Sequence, residues 1–67
     1  MFYSGSIVHE GYEEEISGFF DSEIEFVKNA HVSNHGREYI SIVVDRENSS
    51  VEYSRENIEF WGKWWEN

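Results

Sequence analysis

The chain has 67 residues, no Cys, no Pro and a formal net charge of −9 at pH 7. That length makes one domain, residues 1–67, near the lower limit for folding alone, and without Cys neither disulfides nor thiolate zinc sites reinforce it. The compensation is aromatic: 3 Trp, 4 Tyr and 5 Phe, each able to bury roughly 150–250 Å², which sets the chain apart from disordered acidic segments. No apolar run approaches the roughly 20 residues of a membrane span. Residues 1–11 lack the basic and apolar regions of a signal peptide. A cytoplasmic protein with no membrane partner is expected.

The charge is unevenly placed. Residues 1–27 hold Glu10, Glu13, Glu14, Glu15, Asp21, Glu23 and Glu25 with no Lys or Arg, whereas all 5 Lys and Arg fall in residues 28–67. Such a field repels nucleic acids and anionic membranes and attracts basic surfaces.

Taken in order, Phe2 to His9 reads as a first strand, with β-branched Ile7 and Val8 and a bend at Gly5. After Gly11, Tyr12 to Phe20 alternates and is expected as a second strand. Three consecutive Glu favour the competing helix, but Gly18 and the aromatic neighbours count against it. Asp21-Ser22 signals a turn. Glu23 to Val32 is expected as a third strand, with a bulge where Lys28 interrupts its apolar face. Ser33 to Gly36 is a loop. Tyr39 to Asp45 is the strongest strand, followed by a polar loop over Arg46 to Ser50 and a short strand at Val51 to Tyr53. Ser54 to Asn57 suits one 3₁₀ turn, and Ile58 to Trp61 a last strand broken by Gly62. The sequence shows no repeat or low-complexity segment. These short strands predict an all-β domain: a small, strongly bent, five-stranded antiparallel barrel.

This pattern resembles the Sm-like and Src-homology-3-type small barrels over residues 7–61. Gly18-Phe19-Phe20-Asp21 looks like the end of the second Sm-like strand, Ala30 falls where the third often carries Ala, and Asn57-Ile58 looks like the Asn-Ile of the closing turn. Glu23, Ile24 and Glu25 stand where the family places a base-binding Asn, and Ser54-Arg55 stands where it has Arg-Gly. The resemblance therefore implies the barrel without its RNA-binding residues, and a fold alone does not give function.

The acidic cluster is the sharpest chemical feature. Paired as a hairpin, residues 13–20 and 23–26 would put Glu13, Glu15, Glu23 and Glu25 on one face, since same-face residues lie roughly 6.5–7 Å apart and strands about 4.8 Å. Such an array approaches the charge density of a nucleic-acid backbone. It suits a surface that mimics nucleic acid and occupies a basic groove of a nucleic-acid-binding protein, as small phage-encoded inhibitors of host or defence proteins do. The blander account is a solubilising face on a small barrel. Trp64 and Trp65 either cover the open end of the barrel or anchor a partner. The carboxylates lack the loop spacing of a Ca²⁺ site, His9, His31 and His35 lack metal spacing, and no nucleophile motif is present. No enzyme activity, catalytic residue, metal or cofactor is expected. Two alternatives stand beside the acidic binding module: an Sm-like homo-oligomer, and weak nucleic-acid binding through Arg37, Arg46, Arg55 and Lys63.

Overall fold

The structure is a computed structural model that describes residues 1–34 and 38–61 in full and the backbone of residues 62–65. Gly11 sets the first feature. With a φ of 89° it takes the left-handed conformation that glycine adopts without a Cβ penalty, and it reverses the chain between β1 (Phe2–His9) and β2 (Tyr12–Phe19). The two strands pair antiparallel from Phe2↔Phe19 to His9↔Tyr12. A second hairpin joins β3 (Ser41–Arg46) to β4 (Ser49–Ser54). The hairpins meet through β1 and β3, also antiparallel, giving a sheet of order β2-β1-β3-β4.

Each hairpin is followed by a helix. Ser22 caps α1 (Glu23–Ser33): its side chain accepts from the Glu25 N–H at 3.3 Å, satisfying one of the donors a helix start leaves unpaired. Ser54 does the same for α2 (Arg55–Trp65), accepting from the Asn57 N–H at 3.3 Å. The chain is thus a ββα unit written twice, with the two units joined through their first strands. The unit does not show as a sequence repeat. Ile24-Glu25-Phe26 and Ile58-Glu59-Phe60 look alike, but they are two positions out of step. Counted from the caps, the buried Phe26 corresponds to the buried Ile58.

The core lies between the helices and one face of the sheet. Ile7, Ile42 and Val44 project from the central strands onto Phe26, Val27 and Ala30 of α1 and Ile58 of α2, with Tyr39 closing one end. Tyr3 stacks on Phe26 and Phe20 packs against it at a tilt, with ring centroids 5.7 and 5.5 Å away. The molecule is a two-layer slab 17 Å through its thinnest dimension.

The fold is β-rich and antiparallel throughout, but it is not a closed five-stranded barrel. Residues 23–32 form a helix because the cap at Ser22 and the spacing of Phe26, Val27 and Ala30 suit a helical face, which outweighs the alternation of Ile24 and Phe26. Residues 58–61 likewise continue α2. Without those two strands the sheet stays open, with β2 and β4 as its edges. Residues Gly18 to Asp21 do end the second strand, whereas Ala30 lies within α1 and Asn57-Ile58 within the first turn of α2. No helix among the described residues is long and apolar enough to cross a membrane.

Candidate binding face

Strand alternation gives the sheet two unlike sides. Tyr3, Gly5, Ile7 and His9 of β1 face the helices, so Phe2, Ser4, Ser6 and Val8 face away from them. Register then places the other strands. One row across the open side reads Glu15, Ser6, Val43, Glu52, and the next reads Glu13, Val8, Ser41, Ser54. A third joins Ser17 to Ser4, whose hydroxyl donates to Asp45 Oδ2 at 3.3 Å, and Asp45 pairs with Ser50. At the end of the sheet, Phe2 and Phe19 meet edge to face at 5.3 Å, and both are exposed.

The open side therefore carries Glu13, Glu15, Asp45 and Glu52 among serine hydroxyls. Ser6 lies 3.4 Å from Glu13 Oε1, and Ser41 donates to Glu52 Oε2 at 2.5 Å. No Lys or Arg side chain of the described residues stands on it. At Gly5, β1 and β3 approach so closely that an added Cβ would sit 1.9 Å from the Val43 carbonyl oxygen. A shallow groove runs over this point between Glu15 and Asp45.

The four glutamates of the sequence reading are divided. Glu13 and Glu15 share the open face, but Glu23 and Glu25 lie in the first turn of α1. Glu23 takes a structural part. Arg46 donates to it twice, from Nε at 3.1 Å and from a terminal nitrogen at 2.9 Å, and the Tyr53 hydroxyl donates to the same carboxylate. The Arg46 hydrogen bond, aided by the Tyr53 hydroxyl, outweighs burial and holds the Glu23 carboxyl below its ordinary range. Glu25 is exposed. The side chains of Trp64 and Trp65 lie outside the described residues.

Of the basic residues, Arg46 is engaged with Glu23. Arg55 lies 2.6 Å from Glu59 and over the Tyr39 ring, 5.2 Å from its centroid. Arg37 and the Lys63 side chain are outside the described residues. His9 is buried between the Glu38 carbonyl, 3.3 Å from Nδ1, and Glu14, 3.2 Å from Nε2. Among the described residues no group of three or more His, Asp or Glu is placed to hold a metal ion.

Asp45 and Glu52 escaped the sequence reading because they lie far from the N-terminal acids along the chain. Only the β1–β3 pairing brings them onto the same face. The Ser22-x-x-Glu25 spacing was the available signal that Glu23 and Glu25 begin a helix. Comparisons with protein-family models, curated proteins and solved structures find no match for the chain.

Proposed function

We propose that the protein is a non-enzymatic binding module whose open sheet face takes a basic surface of a partner protein, of the kind that binds nucleic acid. The observation that carries this reading is the composition of that face: three carboxylates on its edge strands and Asp45 on β3, hydroxyls among them, and no Lys or Arg side chain among the described residues. Antiparallel sheets often leave one side to water, and a face kept only for solubility would mix both signs of charge. The exposed Phe2–Phe19 pair supplies an apolar anchor beside the charges. Long-range attraction would set the on-rate and the choice of partner.

The test is capture from a lysate on immobilised protein at low and high salt, with the Glu15→Lys/Glu52→Lys variant in parallel. A basic, nucleic-acid-handling protein retained at low salt, released at high salt and lost from the double variant supports the reading. Glu25→Lys, on α1, should retain it. A partner held equally by both variants would place the interface elsewhere.

Among the described residues no strand pairs with the outer edges of β2 and β4, which favours a second reading, a homo-oligomer built by edge pairing. Glu13, Glu14 and Glu15 oppose β2 pairing with a copy of itself, which leaves β4 as the available edge. Native mass spectrometry at micromolar concentration separates the two readings.

A further inference from the structure

Beyond the open face, a cleft of about 440 Å³ lies on the helix side, between α1 and the edge strand β2. Its size falls in the range of small-molecule sites, roughly 300–1,000 Å³. Ile16, Phe20 and Phe26 supply apolar walls, and Glu14 and Asn29 stand among its polar groups. Asn34, at the C-terminal end of α1, also lines it. Asn34 is 4 % exposed, and its Nδ2 donates to the Ala30 carbonyl at 3.1 Å. Its Oδ1 is buried with no hydrogen-bond partner. Buried acceptors left unpaired are costly and uncommon in native proteins, so this oxygen calls for a donor.

We propose that this cleft binds a small organic cation, an ammonium or amidinium group on a short apolar stem. The N–H group would donate to Asn34 Oδ1 as the neighbouring side chains part to admit it, and the stem would pack on Ile16, Phe20 and Phe26. Glu14 lines the same cleft, and no Lys or Arg is among the described residues that line it, so its field selects a positive charge over a neutral or anionic ligand. This proposal stands apart from the open-face reading, since it uses the other side of β2.

The test is an NMR titration of the full chain with 2-phenylethylamine at about 150 mM salt, where exposed charges are already screened. 2-Phenylethanol serves as the neutral comparison. Saturable shifts centred on Ala30, Ile16 and the Asn34 side-chain amide are expected, with clearly weaker binding of the alcohol. Asn34→Leu removes the acceptor and should weaken binding by about fivefold or more. Asn29→Trp, at an exposed position on α1, should block the cleft without disturbing the core and abolish the shifts. Three results would overturn the proposal: no saturation by about 20 mM amine, well beyond the millimolar affinity of a weak specific site; shifts spread over the open-face glutamates; or unchanged binding to the Asn29→Trp protein.

Discussion

Neutralising the open face should make the protein more stable at low salt. Glu13 and Glu15 are two residues apart on β2, with side chains about 7 Å apart, and Asp45 and Glu52 lie two and three strands away, roughly 12–17 Å at about 4.8 Å per strand. With a dielectric near that of water, the Glu13→Gln/Glu15→Gln variant removes about 1.2 kcal/mol of repulsion at 10 mM salt. About half of this persists in the unfolded chain, where Glu13 and Glu15 remain near neighbours, so the net gain is about 0.6 kcal/mol. In a domain of this size that raises the melting temperature by roughly 2–5 °C. At 0.5 M salt, screening should reduce the gain to about 0.1 kcal/mol. Thermal melts by circular dichroism at the two salt concentrations check both values. A variant less stable than wild type at low salt, or a gain that salt leaves unchanged, would refute the assignment of these carboxylates to an uncompensated face.

Gly5→Ala should disrupt the sheet, because its Cβ would meet the Val43 carbonyl oxygen at 1.9 Å and that neighbour is backbone. A loss of about 3 kcal/mol or more in urea unfolding is expected, and a well-folded variant would contradict the close approach of β1 and β3. Glu23 contributes acid-side stability. Its carboxyl titrates lower in the folded chain than its ordinary 4.5, chiefly through Arg46, so the contribution is present above that value and is lost as pH falls through the lower folded one. Glu23→Gln should flatten this part of the acid-unfolding profile. Tyr39 acts at the other end: burial, opposed by Arg55, pushes its hydroxyl from 10 up to about 12. The unfolded chain then releases the proton first, and stability should fall by about 1–2 kcal/mol between pH 10 and 12 once solvent screening is allowed for. Between about pH 10 and 12 the urea midpoint of wild type should fall further than that of Tyr39→Phe.

The strands could be read from the chain because their signals are local. Gly11 and the alternation from Tyr12 to Phe19 specify the first hairpin, and β-branched Ile42, Val43 and Val44 specify β3. The helices were harder, because Ile24 and Phe26 fit a strand as well as a helix and only the cap distinguishes them. Ser22 with Glu25, and Ser54 with Asn57, place a side-chain acceptor three residues before the donor it satisfies. That small polar signal outweighs an ambiguous apolar pattern. The open face could be read only in part. Glu13 and Glu15 lie together in sequence, whereas Asp45 and Glu52 join them through a strand pairing that no local pattern specifies. The cleft at Asn34 left no mark at all, since its walls come from β1, β2 and α1 and its unpaired oxygen exists only in the folded chain.

The two sides of the sheet divide the work. Both helices pack on one side, so Ile7, Ile42, Val44 and Ile58 are nearly solvent-free and join Phe26, Val27, Ala30 and Tyr39 in the one core that such a short chain can muster. The other side contributes little apolar area and tolerates repulsion costing a few tenths of a kcal/mol per neighbouring pair at low salt. A domain of 67 residues has little stability to spare, and Gln at Glu13 and Glu15 would remove the repulsion while remaining soluble. Uncompensated carboxylates on a face that the core does not need are therefore a feature that stability alone disfavours. A basic partner would reverse that balance, since the same charges that repel one another in the free protein attract in the complex.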